Sequence, residues 1–236
     1  PAHLGKCEVI YQSSSSLASA RKPAGRLDCV AVGHLREEKD PGTLWRALGL
    51  LDPRLPVRVR HIGAALDPGL GMQARELMAS DRRFRWNGPL PHGLARSAIR
   101  DAHLLVHPSV MEGGANVIVE AITAGTPVVA SRVSGNVGML GRNYPGYFEV
   151  GDAVGLARLL ENLVHDPAAL RALRKACGER RKLFAPGRER QALQGEEFPR
   201  GVTCHTRLPL WRRRSRPMRV VTHRRGRVAT TAEMLL

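Results

Sequence analysis

Short apolar runs rich in β-branched residues alternate with amphipathic stretches between residue 26 and about residue 184. Six of the apolar runs predict β-strands: 27–32, 57–62, 84–86, 104–107, 127–130 and 147–150. The amphipathic stretches predict six helices: 41–51, 68–79, 93–101, 116–124, 153–165 and 167–183. Repeated βα units place helices over a parallel sheet, so we expect an α/β fold with a Rossmann-like, doubly wound parallel sheet.

The regions on either side of this block differ from it and divide the chain into three parts. Residues 1–25 contain one strand-like run, 7–11, and then a polar, small-residue stretch. This pattern predicts an interdomain strand and linker that lead in from a lobe outside this sequence. Residues 26–190 are the predicted Rossmann-like domain, and residues 191–236 are an arginine-rich tail that we expect to be disordered.

Much of the net charge of +16 lies in that tail. Residues 199–236 contain ten arginines, no lysine and one acid, Glu233, so they carry +9 and leave +7 for the rest of the chain. A solvated extension, a nucleic-acid-binding tail and an out-of-frame reading of GC-rich DNA are all compatible with this composition. Clustered arginines can neutralise phosphates, but no recognisable nucleic-acid-binding module accompanies them, so we do not expect nucleic acid as a partner.

Membrane and metal partners are also not expected. No apolar run approaches the ~18 residues that a membrane-spanning helix needs, and no secretory leader precedes the domain, so we expect a cytoplasmic protein. The chain begins at Pro1 and not at a methionine. Neither the four cysteines nor His3, His61, His92, His103 and His165 show the spacing of a metal site, and we interpret these histidines as structural or surface residues.

The segment 107–121, HPSVMEGGANVIVEA, predicts the end of a strand, a glycine-rich loop and the start of a helix. Gly113 and Gly114 allow close approach of the backbone to a ligand, and the free amides of the following helix favour a bound phosphate or diphosphate. The carboxyl end of a parallel strand is also where open α/β sheets bind ligands. We therefore expect Gly113, Gly114, Ala115 and Asn116 to bind a phosphate or diphosphate.

Two carboxylates flank these glycines. Glu120 lies ~6 Å along the helix from its anion-binding end, a distance suited to the ribose hydroxyls of a nucleotide. Glu112 lies on the other side of the glycines and is expected to face the group beyond the phosphates, where a sugar would lie. The spacing alone also permits a simpler interpretation, in which Glu120 is a surface residue and the glycines form a turn.

Glu112 and Glu120, with the glycine-rich turn between them, resemble the E-x7-E motif of the retaining family 4 glycosyltransferases of the GT-B fold. Residues 32–39, VGHLREEK, resemble the first strand and basic loop of this family. The resemblance implies that Lys39 and Arg36 neutralise the donor diphosphate. His34 stands where the family usually has arginine, so the second cation comes from Arg36 or from a protonated His34. The resemblance also implies that the base pocket is bordered by Gly88, Pro89 and Leu90.

Three further runs are similar to the selenosugar synthases of selenoneine biosynthesis, which join a UDP-sugar to selenophosphate: 32–41, VGHLREEKDP; 111–116, MEGGAN; and 134–151, SGNVGMLGRNYPGYFEVG. This resemblance implies that Asn136 and its neighbours line the cleft on the donor or acceptor side. The alternative is that this loop is a plain glycine-rich turn that does not line the cleft.

The resemblance implies a UDP-sugar donor, selenophosphate as acceptor, no metal, and catalytic roles for Glu112, Lys39 and Arg36. The sequence contains no Asp-x-Asp pair of the kind that holds a divalent cation in other sugar transferases. A selenium nucleophile lessens the need for a general base, so none is assigned. Because the acceptor lobe is expected to lie N-terminal to this sequence, we expect the isolated chain to bind donor and to turn over poorly. A family 4 enzyme with another acceptor, a non-catalytic nucleotide-sugar-binding fragment and a nucleic-acid-binding protein remain the alternatives.

Overall fold

The computed structural model describes residues 7–18, 20–195 and 220–222. Two compact units are present, of which the larger is formed by residues 15–181 and the smaller by residues 1–14 together with 182–236. Among the described residues, no helix combines the length and the hydropathy that a membrane span requires.

The larger unit is built on a six-stranded sheet with the order β4-β3-β2-β5-β6-β7, in which every neighbouring pair is parallel. Its strands are β2 (Leu27–Val32), β3 (Val57–Ile62), β4 (Phe84–Trp86), β5 (Leu104–His107), β6 (Val128–Ser131) and β7 (Tyr147–Phe148). This order reverses direction between β2 and β5, as it does in the doubly wound nucleotide-binding folds. The predicted fold class is therefore confirmed.

The strands at the centre are buried on both faces. All four residues of β5 and all four of β6 are buried, which matches the continuous apolar runs of the sequence. The helices of this unit are α1 (Pro41–Leu50), α2 (Pro68–Ser80), α3 (His92–Asp101), α4 (Asn116–Ala124), α5 (Ser134–Leu140), α6 (Ala153–His165) and α7 (Pro167–Arg180), with a short 3-10 helix at Glu37–Lys39.

Aspartate caps fix several of these helix starts. The Asp40 side chain accepts a hydrogen bond from the Thr43 amide, and Pro41 occupies the first turn of α1. Asp166 caps α7 in the same way, through the Ala168 amide. Asp40 itself lies in the left-handed region, at φ 39°, so the chain turns sharply between Lys39 and α1.

The structure departs from the predicted elements in the last third of the unit. The stretch 134–140, expected as a loop or turn, forms the helix α5. The helix predicted at 167–183 ends at Arg180 and continues as a 3-10 helix, because the backbone tightens to i to i+3 bonding in its last turn. The strand β7 has only two residues, and β6 starts one residue later than predicted, at Val128.

The smaller unit contains β1 (Cys7–Val9), which pairs in antiparallel fashion with β8 (Val220–Thr222), and the helix α8 (Pro186–Gly195). Tyr11 packs edge-on against Phe184, with ring centroids 5.5 Å apart. Of the tail for which disorder was expected, residues 191–195 continue α8 and 220–222 form β8, while the remainder lies outside the described residues.

Candidate functional site

The loops that follow β2 and β5 meet at the carboxyl edge of the sheet, where the strand order reverses. The Val110 amide, after β5, donates a hydrogen bond to the Glu38 carbonyl, after β2, at 3.0 Å. This contact joins the two loops, and we refer to the region between them as the crevice. Open α/β sheets bind their ligands at such a reversal point.

Lys39 and His107 hold the carboxylate of Glu112 within this crevice. Lys39 Nζ lies 2.5 Å from Glu112 Oε1, and His107 Nε2 lies 2.9 Å from the same oxygen. Burial raises the pKa of Glu112, but the hydrogen bonds and charges of His107 and Lys39 outweigh it and lower this pKa to about 2. The Glu112 side chain is therefore an ionised acceptor at neutral pH, although only 9% of it is exposed.

Two buried serines fix the surroundings of His107. Ser109 Oγ lies 3.2 Å from His107 Nε2, and Ser131 Oγ donates to the Ser109 carbonyl at 2.5 Å. All three side chains are buried, and Ser131 belongs to β6, the next strand of the sheet. The position of the Glu112 carboxylate is therefore set by two adjacent strands as well as by its own loop.

Helix α5 packs directly against the backbone of Glu112. A Cβ atom added to Gly135 would lie 2.0 Å from the Glu112 carbonyl oxygen, so only glycine permits this approach. The predicted donor residue Asn136 follows Gly135, but its side chain is fully buried and donates through Nδ2 to the Ser131 carbonyl at 2.9 Å. The structure thus places Asn136 beneath the cleft wall and not at its surface.

Lys39, Arg36 and His34 of the predicted basic loop after β2 each have a different partner in the structure. Lys39 reaches Glu112, as described above. The Arg36 side chain is 44% exposed and lies 3.7 Å from Glu38. His34 Nδ1 accepts a hydrogen bond from the Ala64 amide at 3.0 Å. A ring nitrogen that accepts a bond carries no proton, so His34 is neutral in this arrangement and offers only a neutral Nε2–H donor.

The glycine-rich loop leads into an α4 whose start has no side-chain cap. Ala115 occupies the cap position and makes no side-chain hydrogen bond to the helix. Gly113 is exposed, and a Cβ atom at this residue would have open space around it. The first turn of an α-helix presents amide groups that have no partner within the helix. An anion bound at Gly113, Gly114, Ala115 and Asn116 would complement that end of α4.

Glu120 contacts a histidine across the cleft. His92 Nε2, at the start of α3, lies 2.6 Å from Glu120 Oε1, and the two side chains are 59% and 14% exposed. Between β4 and α3 runs the loop that contains Gly88 and Leu90, where Gly88 has a φ of 65° and accepts a bond from the Gly63 amide. His92 thus ties the end of this loop to α4.

Two residues of the site, His107 and His92, were not predicted from the sequence. His107 is the first residue of the segment 107–121 and the last residue of the buried strand β5. Nothing in the sequence indicated that it contacts Glu112. His92 was interpreted as a structural or surface residue; its side chain is 59% exposed, and it also contacts Glu120. Its position directly after the expected base loop, at the start of a helix, was the signal available in the sequence.

The six-stranded parallel sheet, its reversed strand order and its flanking helices define a Rossmann-like domain. The family model of the group 1 glycosyl transferases matches residues 15–183 of this chain. The chain therefore belongs to the group 1 glycosyltransferases.

Relatives and solved structures agree with this assignment. The D-inositol 3-phosphate glycosyltransferase of Streptomyces avermitilis is 29% identical over 190 residues, which cover 74% of this chain and 41% of that protein. The crystal structure of Anabaena HepE in complex with UDP-glucose matches with a TM-score of 0.63 and 20% identity over 72% of this chain and 48% of its own. The sucrose-phosphate synthase of Thermosynechococcus elongatus matches with a TM-score of 0.61 and 26% identity, over 73% and 45%. The chain spans less than half the length of each of these three proteins.

Proposed function

We propose that this chain is the donor-binding half of a glycosyltransferase and that it binds a UDP-sugar in the crevice between the β2 and β5 loops. The observation that carries this proposal is the ionised Glu112, whose largely buried carboxylate is held by Lys39 and His107 and which lies four residues before the start of α4. A fixed carboxylate beside an anion-binding helix start suits a ligand with both a diphosphate and a hydroxyl-rich sugar. HepE, which has the same fold, was crystallised with UDP-glucose.

The diphosphate lies, in this proposal, against the start of α4. Lys39 and Arg36 supply positive charge, and His34 supplies a neutral Nε2–H donor. Charge grows on the diphosphate as the bond from the sugar C1 to the phosphate oxygen breaks, so fixed cations and amides stabilise the transition state more than the ground state.

The position of the diphosphate determines where we place the ribose, the uracil and the sugar. Glu120 accepts hydrogen bonds from the ribose hydroxyls, and the loop that contains Gly88 and Leu90 borders the uracil. Glu112 faces the sugar. With a pKa of about 2, Glu112 acts at neutral pH as a hydrogen-bond acceptor and a negative charge near C1, and it does not act as a general acid.

The acceptor that we propose is selenophosphate. Its selenium donates an electron pair to the sugar C1, the C1–O bond to UDP breaks, and UDP departs with that bonding pair. The support is the likeness of residues 134–151 to the selenosugar synthases, because the first part of this stretch forms α5, which abuts Glu112. A phosphorylated acceptor also appears in the names of the curated D-inositol 3-phosphate glycosyltransferase relatives. A different acceptor, or donor binding without catalysis, is the alternative.

Calorimetric titration of the chain with UDP and UDP-N-acetylglucosamine tests the donor site. We expect binding of both, with losses in Glu120→Gln and Lys39→Met and no loss in Lys175→Met, an exposed lysine of α7. If the folded chain binds neither nucleotide, or if Lys175→Met weakens binding as much as Lys39→Met, the site assignment is wrong.

The acceptor is tested with a two-lobed protein that carries this chain. Mass spectrometry would follow sugar transfer from the UDP-sugar to selenophosphate, to inorganic phosphate and to inositol 3-phosphate. We expect sugar transfer only in the first reaction, with Se-glycosyl selenophosphate and UDP as products, and with the free selenosugar appearing where water hydrolyses the Se–P bond. Transfer to inositol 3-phosphate alone would overturn the acceptor assignment and leave the donor site intact.

A further inference from the structure

A second surface of the larger unit carries a strong positive charge, and Lys39, His107 and Glu112 are not among the residues that line it. The residues of β3 alternate between buried and exposed, and Arg58 and Arg60 are its exposed members. Together with the exposed Arg82 and Arg85 they line a groove of about 740 Å³ on one face of the sheet. We name this surface the arginine groove and define it by these four residues.

Strand register places like charges side by side in the arginine groove. Arg60 of β3 is the direct partner of Arg85 on β4. Arg58 precedes Arg60 by two residues and therefore lies on the same face of the sheet. Like charges directly opposite each other in a sheet are destabilising. The chain therefore tolerates, on this face, an arrangement that an isolated sheet disfavours.

Carboxylates that could relieve this repulsion are engaged elsewhere. Asp28 is the strand partner of Arg58, but its carboxylate lies 2.9 Å from Arg26. Among the described residues, no carboxylate lies within 4.0 Å of Arg58, Arg60, Arg82 or Arg85, whereas the nearby Arg83 has its own partner in Asp81 at 2.7 Å. Within the part of the chain that the structure describes, the charges of the arginine groove therefore have no carboxylate partner.

We propose that the arginine groove docks an extended acidic segment of a partner protein. Side chains at alternate positions of an extended chain are ~6.6 Å apart and point to one face, which is also the spacing of Arg58 and Arg60 along β3. Guanidinium groups bind carboxylates through paired, charge-assisted hydrogen bonds. Alternating carboxylates on a partner strand would therefore match this row of arginines, and Arg85 would reach the same segment from β4.

The lining of the groove favours a peptide over a nucleic acid. The residues that line it include no aromatic side chain on which a base could stack. Two carboxylates, Asp28 and Asp101, also line it and would repel a continuous phosphate backbone. A protein segment can place its acidic residues over the arginines and neutral residues beside these aspartates.

The test uses the full chain and a short fluorescein-labelled peptide of alternating glutamate and serine, with a glutamine-serine peptide as the uncharged probe. One variant replaces Arg58, Arg60 and Arg85 with glutamine, and its matched control replaces the exposed arginines Arg142, Arg158 and Arg171. Both variants lose the same charge, so any attraction by the arginine-rich tail is equal in the two. Fluorescence anisotropy gives the affinities, and single-stranded RNA of similar length is titrated in parallel.

We expect the groove variant to lose about tenfold or more in affinity for the acidic peptide, and the control variant to lose less than about threefold. The thermal midpoint of the groove variant should equal or exceed that of the natural chain, because a like-charge pair has been removed. Should the triple variant fail to fold, Arg60→Gln against Arg142→Gln makes the same comparison. Equal losses in both variants, or a selective loss of RNA binding, would overturn the proposal.

Discussion

Lys39 Nζ and Glu112 Oε1 lie 2.5 Å apart and join the loops that follow β2 and β5. The pair spans the point at which the strand order of the sheet reverses. The two charges neutralise each other across this point. In the proposed donor site a diphosphate would compete with Glu112 for the lysine, so we expect donor binding to be coupled to this ion pair.

Replacing Glu112 with glutamine should change the affinity for UDP and the affinity for a UDP-sugar in opposite directions or by different amounts. Lys39 loses its ion-pair partner and becomes fully available to phosphate, so UDP should bind as well as before or more tightly. A UDP-sugar should lose about tenfold relative to UDP, because the sugar loses a charged acceptor. Calorimetry with both ligands measures this ratio, and the exposed Glu37→Gln is the control. An equal loss for UDP and UDP-sugar would contradict a sugar-facing Glu112.

His92 should act as a positioning residue for Glu120. In His92→Ala the Glu120 carboxylate loses its contact at 2.6 Å and becomes mobile. We expect the preference for UDP over 2′-deoxy-UDP to fall about threefold to tenfold, since Glu120 is proposed to bind the ribose hydroxyls. His92→Gln, which retains a donor, should restore part of the preference.

The control for this prediction is His165→Ala, an exposed histidine at the end of α6. If both nucleotides weaken equally in His92→Ala, the residue has a general structural role and does not position Glu120.

The two glycines of α5 form a matched pair for testing the contact with Glu112. A Cβ atom at Gly135 would meet the Glu112 carbonyl at 2.0 Å, whereas a Cβ atom at Gly138 would have nothing within 4 Å. Gly135→Ala should therefore push the start of α5 away, lower the thermal midpoint by several degrees and weaken UDP-sugar binding about tenfold. Gly138→Ala should stabilise the chain by up to about 1 kcal/mol, since alanine favours helix. Similar behaviour of the two variants would contradict the close approach.

The strands and helices of the fold were predictable because each is specified by a pattern within its own short stretch of sequence. Each central strand is a short β-branched run, and α4 has a helical pattern directly after a glycine-rich turn, so β5 and α4 fell at their predicted positions. Lys39 and Glu112 were assigned to one site through the family resemblance, and their contact is possible because parallel strands bring their carboxyl ends to one edge.

Helix α5 and the two histidine contacts were not predictable, because they depend on tertiary structure. Gly135 and Gly138 disfavour a helix by intrinsic propensity, and the packing of α5 on the Glu112 backbone overrides this. His92 and Glu120 are 28 residues apart in sequence and belong to helices that follow different strands. No periodicity connects two such positions, so only the folded chain reveals their contact.

His61 and Glu112 should each make stability depend on pH, in separate windows. Burial lowers the pKa of His61 from 6.5 to about 4, and its bond to the Gly33 carbonyl offsets this only in part. The unfolded chain takes up a proton at His61 below pH 6.5 and the folded chain does not, so stability falls as the pH drops from 6.5 towards 4. Between pH 6.5 and 4.5 this one group should remove about 2–3 kcal/mol.

Glu112 acts at lower pH and in the same direction. Its folded pKa of about 2 lies below the ordinary 4.5, so the stability that its ion pair contributes is present above pH 4.5 and is lost as the pH falls towards 2. Urea unfolding at a series of pH values should show a flatter profile between pH 6.5 and 4.5 for His61→Gln, and a flatter profile below pH 4.5 for Glu112→Gln. Because every other titrating group is shared, subtracting each variant from the natural chain isolates one residue. If His61→Gln retains the full slope above pH 4.5, then His61 is not the buried neutral base that its contact with Gly33 implies.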